Sequence, residues 1–347
     1  MSAIYRDRLP TKPVSRPVMP PDTPKVIANT SGTPDRHGRR VAVLIAVYNG
    51  DRFLREQIET LAKQDVAHLD LWFADDGSTD RTRDIVEETR ARWTKGEVHL
   101  LPGPRQGFAE NFRHLLVHPD IDADHVALCD QDDLWEADKL SSAIARLDAE
   151  TGGEAGEIPA LHCSRTRIVA EDGTPIGHSR LFARPPSFRN AIVQNIAGGN
   201  TMVMNRAAHR LIRQMSRDVS FVSHDWWCYL LVAGMGGKVL YSPEAKTSYR
   251  QHAANVVGEN VSLRARFFRV RMVGKGRYRS WNEINLAALA ACRERMTPDA
   301  RRTLDLYGRA RRGWVGARLV ALMRSGVYRQ TPAGQIGLYL ACALNRI

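Results

Sequence analysis

Three carboxylates fall within four residues in His125-Val126-Ala127-Leu128-Cys129-Asp130-Gln131-Asp132-Asp133-Leu134-Trp135, directly after an apolar run of buried-strand length. Left unpaired at the end of such a strand, Asp130, Asp132 and Asp133 would be costly to desolvate or be driven to protonate. Positive charge is therefore expected among them. A divalent cation carrying a phosphorylated ligand supplies it economically, because Mg²⁺ and Mn²⁺ take hard oxygen ligands. The competing reading is a solvated turn at a helix start, where Asp is favoured as a cap.

The elements that must hold these carboxylates can be read on either side. Val41-Ala42-Val43-Leu44-Ile45-Ala46-Val47 is a continuous apolar run, the mark of a parallel strand buried on both faces, and it ends at Tyr48-Asn49-Gly50-Asp51. Phe53, Leu54, Ile58 and Leu61 then give one apolar stripe at helical spacing. Residues 69–74 form the next strand and stop at Asp75-Asp76-Gly77-Ser78-Thr79-Asp80. There Ser78 or Thr79 can cap a helix carrying Ile85 and Val86, with Asp80 a first-turn acid favoured by the helix dipole. A third strand, 98–101, runs into Pro102-Gly103-Pro104-Arg105-Gln106-Gly107 and a helix through Phe112, Leu115 and Leu116. The acidic stretch ends the fourth. Such alternation with short loops predicts an α/β fold with a parallel sheet and right-handed crossovers. Ligands bind at the carboxyl ends of such strands, and all four end here in polar residues. No GxGxxG follows the first strand and no P-loop signature occurs, which sets aside both nucleotide motifs.

The chain has 347 residues, 43% of them apolar, enough for one large domain or two with a sizeable core. Its five cysteines are odd in number and contain no CxxC pair. That argues against a disulfide framework or a zinc site and for reduced thiols in a cytosolic setting. No signal-peptide pattern and no apolar run of bilayer-spanning length is present. Residues 1–40, with seven prolines, read as a disordered or extended leader. The net charge of +12 is uneven: residues 261–347 carry 18 Lys and Arg against 4 Asp and Glu, net +14, so the preceding 260 residues sum to −2.

Taken in order, Val47-Tyr48-Asn49, then Asp75 to Asp80, then Asp130 to Trp135 resemble the motifs of family 2 inverting glycosyltransferases of the GT-A fold. His224-Asp225-Trp226-Trp227 and Tyr249-Arg250-Gln251-His252 resemble the rhamnosyltransferase-like branch, and the similarity covers residues 41–260. The resemblance implies the nucleotide-diphospho-sugar transferase fold, a mainly parallel central sheet flanked by helices. Its nucleotide-binding half would be 41–135, its acceptor half 136–260, with a basic, mainly helical region over 261–347. The donor would be a nucleotide diphosphate sugar, dTDP-rhamnose being the specific expectation and a UDP-hexose the alternative. A divalent cation, Mg²⁺ or Mn²⁺, would accompany it, and the acceptor would be a hydroxyl of a cell-surface polysaccharide or lipid-linked glycan. Such an enzyme would be a hexosyltransferase.

The same resemblance assigns roles. Asp75 would accept a hydrogen bond from the base, above a floor of Val47, Tyr48 and Asn49, with Arg105 near the base or diphosphate. Asp130 and Asp132 form the DxD, the later carboxylate toward the metal on the diphosphate and the earlier toward the ribose. Asp133 is open to the metal or the sugar, with Trp135 beside it. Asp225 would be the general base that an inverting transfer needs opposite the leaving group, flanked by His224 and Trp226; a helix cap before an apolar face is the plainer reading, and both can hold. His252 would reach the metal or a phosphate. From the residues themselves, Gly198-Gly199-Asn200 before an apolar strand suggests a loop under the transferred sugar, or an ordinary turn.

In the basic region Arg264 to Arg279 interleave with large apolar residues, as do Arg312, Arg318 and Arg324 with Trp314, Val315, Leu319, Val320, Leu322 and Met323. Such a helix suits the surface of an anionic membrane, placing the protein peripherally at a cytoplasmic face. Packing on the catalytic domain is the alternative. Nucleic-acid binding has no recognition motif to support it. A non-catalytic nucleotide- or glycan-binding protein with the same fold is the reading of a different class.

Overall fold

The computed structural model describes residues 38–152, 157–252 and 277–347. The leader up to residue 37, the loop 253–258 and the basic run 264–276 lie outside the described residues. The leading half alternates as its apolar runs predict: β1 (Arg40–Val47), α1 (Leu54–Ala62), β2 (His68–Asp75), α2 (Thr82–Arg92), β3 (Val98–Pro102), α3 (Phe108–Leu116) and β4 (His125–Asp130). There follow β5 (Leu134–Trp135), α4 (Lys139–Thr151), β6 (Ala160–Ser164), β7 (Arg167–Val169), β8 (Pro175–His178), α5 (Phe188–Ala191), β9 (Val203–Asn205), α6 (Arg206–Met215), α7 (His224–Gly234), β10 (Lys238–Ser242) and β11 (Thr247–Arg250). Four more helices complete the chain: α8 (Arg277–Ala291), α9 (Pro298–Arg309), α10 (Val315–Ser325) and α11 (Pro332–Ala343).

The central sheet has the order β10-β6-β9-β4-β1-β2-β3. Its pairs are parallel except those of β9, which runs antiparallel to both β4 and β6. A second sheet, β5-β11-β7-β8, stands beside it. Strands β1, β2 and β4 are buried on both faces, which is why β1 and β4 are written as apolar runs and β2 is apolar between its ends but for Asp70. One face packs Leu54, Leu61, Ile85, Val86, Leu140 and Leu147 against Val43, Ile45 and Phe73. The other packs Phe112, Leu115, Trp227 and Leu231 against Leu44, Trp72 and Leu128. Each such aliphatic or Phe side chain contributes about 1.5–3 kcal/mol relative to exposure.

The C-terminal helices share that second core. Leu289, Met296, Leu304, Tyr307, Leu322, Leu338 and Ile347 are buried in one cluster with Trp227 and Tyr229. The backbone is stitched across as well: Thr297 N–H donates to Gly234 O at 3.0 Å, Tyr278 Oη to Val193 O at 2.9 Å, and Asn190 Nδ2 to Tyr328 O at 2.9 Å. Local sequence sets the helix starts. Thr297-Pro298 and Thr331-Pro332 each place a threonine whose hydroxyl accepts the free amide three residues on, from Ala300 and Gly334, followed by a proline at the first helical position. Packing on the catalytic part is thus what the tail does from Arg277 onward. No helix among the described residues is long and apolar enough to cross a membrane.

Candidate active site

Register assembles the carboxyl edge of the central sheet. Val47 pairs with Asp75, Asp75 with Pro102, and Ala46 with Asp130, so the loops after β1, β2, β3 and β4 leave side by side. Side chains then tie them together. Asn49, at φ 47°, accepts Thr79 N–H at 2.9 Å, and its own N–H donates to Ser78 Oγ at 2.9 Å. Gly50 N–H donates to Thr82 Oγ1 at 2.8 Å and Asp51 N–H to Asp80 Oδ2 at 3.0 Å. Ser78 and Thr79 therefore hold the β1 loop and do not cap α2, which corrects the sequence reading. Asp80 lies before the helix rather than in its first turn, where it accepts Thr82 N–H at 3.0 Å; the N-cap residue Arg81 makes no side-chain cap bond and the first-turn acid is Asp84.

Asp75 is buried with both oxygens engaged, by Ser78 N–H at 2.9 Å and by Arg83 Nε. Burial pushes its carboxyl up, but the bonds from Ser78 and Arg83 outweigh it and hold the group below the usual carboxylate range. Asp76, less buried, accepts Arg105 N–H at 2.6 Å and Gly107 N–H at 2.8 Å, and so fixes the loop after β3. Arg105 is exposed, at φ 59°, with its side chain lying along the space a Cβ on Gly77 would fill. A ligand reaching this edge would meet Tyr48 (57% exposed), Asp76 and Arg105 before Asp75.

The acidic turn is clamped from two sides. Gln131 Oε1 accepts Tyr48 N–H at 2.9 Å and its Nε2 donates to Tyr48 O at 3.1 Å, prolonging the β1–β4 pairing beyond the strands. From behind, buried Arg250 donates to Asp132 O at 3.1 Å, Glu171 O at 2.6 Å and Glu56 Oε2 at 2.6 Å. His252 Nε2 lies 2.7 Å from Asp132 Oδ2, bringing together two residues the sequence paired on a metal. Both the Arg250 guanidinium and the His252 ring rest on Phe53.

The electrostatics of the turn are unbalanced. Asp133 Oδ2 accepts Asn200 Nδ2 at 2.6 Å, while its Oδ1 is buried without a partner. Burial, then the charges of Asp132 and Asp225, push Asp130 up to about 7 against the pull of Lys139. Burial, then Asp130 and Asp132, push Asp133 well above the usual carboxylate range. Lys139 is itself pushed down to about 7 by burial, and its Nζ stands 3.0 Å from the centroid of the Trp135 ring without a hydrogen-bond partner. One weakened lysine against Asp130, Asp132, Asp133 and Asp225 leaves the cluster short of positive charge, and carboxylate oxygens suit a hard divalent cation. No three ligating side chains stand together among the described residues. An ion here would share Asp130 and Asp132 with oxygens of its own ligand, as Mg²⁺ does with substrate phosphates.

The opposite wall comes from the second half. The 3-10 turn Gly199–Thr201 delivers Asn200 to Asp133. Gly198 opens that turn in extended backbone, and Gly199 faces His224, whose Nε2 would lie 2.5 Å from an added Cβ. His224 is buried and stacked on Phe112 at 3.9 Å, and burial pushes it down to about 4 although Asp225 opposes the shift. Asp225 occupies the first turn of α7, where the helix dipole favours a carboxylate, and accepts Asn195 Nδ2 at 2.8 Å. Trp135 and Trp226 are buried rather than presented to a ligand; the Trp226 indole N–H donates to Ala191 O at 2.7 Å.

Sequence reasoning did not assign Asp76, Gln131, Lys139, Asn195 or Arg250. Asp76, Gln131 and Arg250 stand inside motifs that were read, and Asn195 lies just before the Gly198-Gly199-Asn200 stretch. Lys139 gave no signal, since a lone basic residue reads as solvated until tertiary packing buries it.

Residues 42–212 match the family described as Glycosyl transferase family 2. The chain is similar to the dTDP-rhamnosyl transferase RfbG of Shigella flexneri, 25% identical over 245 residues, covering 68% of this chain and 81% of that protein. It is 27% identical over 238 residues to the uncharacterized protein Rv1520 of Mycobacterium tuberculosis, covering 67% of this chain and 64% of that one. Among solved structures, S. aureus TarS 1-349 in complex with UDP-GlcNAc gives a TM-score of 0.49 at 16% identity, covering 88% of this chain and 89% of that one.

Proposed function

We propose, from the premise that this chain belongs to glycosyl transferase family 2, that it moves rhamnose from dTDP-rhamnose, with inversion, onto a hydroxyl of a lipid-linked glycan or cell-surface polysaccharide. The observation that carries this reading is the gathering of Asp130, Asp132 and Asp133 at one sheet edge, within the field of Asp225 on α7, with only the desolvated Lys139 drawing Asp130 and Asp133 down. The rhamnosyl donor is supported by the activity of the Shigella relative.

Asp130 and Asp132 would hold a divalent cation, which when bound offsets the charge gathering on a leaving diphosphate. The rest of the work falls to side chains. Tyr48, Asp76 and Arg105 line the reachable edge where the nucleotide would lie, and Asp75 serves as the buried frame of that edge. Asn200, fixed on Asp133, closes the sugar side. Asn195 orients Asp225, which takes the proton of the acceptor hydroxyl as that oxygen bonds to the anomeric carbon and the bond to the diphosphate breaks. His252 holds the Asp132 carboxylate in place. Five buried, free cysteines suit a reducing compartment, and the basic C-terminal quarter suits a peripheral position at the cytoplasmic face of a membrane.

Thermal stabilisation by nucleotide diphosphates and their sugars, with and without Mn²⁺ or Mg²⁺, tests the proposal. A metal-dependent rise with dTDP species, lost in Asp132→Asn, is expected. Asp225→Asn should keep that rise and lose turnover by roughly 10²–10⁴-fold, the usual worth of a general base. A rise with UDP species alone would overturn the donor; full turnover in Asp225→Asn would overturn the base.

A further inference from the structure

The outward side of α11 inverts the usual pattern of a surface helix. Ala333, Ile336, Gly337, Leu340 and Leu344 recur at helical spacing and are all exposed, Ile336 at 60%, Leu340 at 59% and Leu344 at 71%. A helix on a soluble surface normally turns charge outward. The adjacent, packed helix α10 does the same with Val320 and Met323, and the Trp314 ring, 76% exposed, folds over Gly316 at its start. Single exposed apolar residues need no explanation, but two neighbouring helices presenting them together mark a contact surface.

Charge says what kind. After Asp305 the chain has no acidic residue, and it carries seven arginines. Three are used internally: Arg311 and Arg318 donate to Ile347 O and Ala343 O, and Arg329 to Val193 O. Arg309, Arg312, Arg324 and Arg346, on or next in sequence to these helices, are left exposed. A second copy meeting this surface about a two-fold axis would bring the same arginines against one another. An anionic lipid leaflet pairs with them and takes the apolar side chains and the tryptophan into its interface.

We infer that the outward faces of α10 and α11 are the surface by which this protein docks on anionic membranes. The inference rests on the peripheral placement proposed above and assigns the residues that make it. Full-length protein would be sedimented with vesicles of phosphatidylcholine alone and of phosphatidylcholine with phosphatidylglycerol. Binding to the anionic vesicles only, weakening with added salt, is expected. Leu340→Glu should reduce it by more than roughly tenfold, and Arg312→Gln or Arg324→Gln by about fivefold each. Each variant should keep the wild-type melting temperature and nucleotide response, which separates failure of docking from failure of the donor site. Equal binding to both vesicle types, no binding to either, or a wild-type oligomer that Leu340→Glu converts to monomer would overturn the assignment.

Discussion

Gly199 has His224 so close that a Cβ would lie 2.5 Å from Nε2, and His224 directly precedes Asp225. Gly199→Ala should therefore displace the imidazole and with it the first turn of α7. We expect a cost of about 1–3 kcal/mol, as for other overpacked sites, with turnover falling further than nucleotide binding. An unchanged melting temperature and kcat would show that the turn relaxes freely. At this scale the sequence yielded the acids but not their division of labour. Asp75 and Asp76 are adjacent and chemically alike. The bonds from Ser78 and from Arg83, the second residue of the next helix, distinguish the two by engaging Asp75. The unpartnered Oδ1 of Asp133 is equally invisible in a string of letters, since it depends on where Asn200, distant in sequence, comes to rest.

Among elements, β11 is four residues long and pairs antiparallel with the two-residue β5 and parallel with β7. No periodicity can be recognised at that length, so the second sheet was not expected. The long parallel strands were, because burial on both faces leaves an unbroken apolar run. Yet β11 carries Arg250, which donates to Asp132 O in the acidic turn and ties it to Glu171 O and Glu56 Oε2. Arg250→Met keeps much of the shape and loses the fork. It should lower stability by about 2–4 kcal/mol, seen as a fall in melting temperature, and weaken the metal-dependent nucleotide response. Arg250→Lys should not restore it, because an ammonium cannot span three divergent acceptors. Full recovery in the lysine variant would mean that charge alone is what the turn needs.

For the whole molecule, buried histidines set the acid limit. Burial pushes His162 down to about 3 and His209 to about 4 from the ordinary 6.5. Unfolding frees both to take up protons, so their contribution is complete above pH 6.5 and is lost as pH falls toward those values. The loss should approach about 1.4 kcal/mol per pH unit for each histidine. Urea melts at falling pH should show the midpoint dropping, and His209→Gln should flatten the slope; a midpoint indifferent to pH below 6.5 would show that neither is buried in solution. The tail's docking on the core was the least readable feature, because α8 buries Asn282 and Asn285 and so conceals its inner face. That shared core has a genetic reading. A nonsense mutation after His252 and before α8 spares every chemistry-bearing residue named above. It would still be a complete loss of function, since Trp227, Tyr229 and Leu231 would be stripped of their cover and delivered to proteases. Missense lesions on the outer face of α11 should instead leave a stable, abundant protein in the wrong place, so that alleles of the same short region sort into two phenotypes by which way the side chain points.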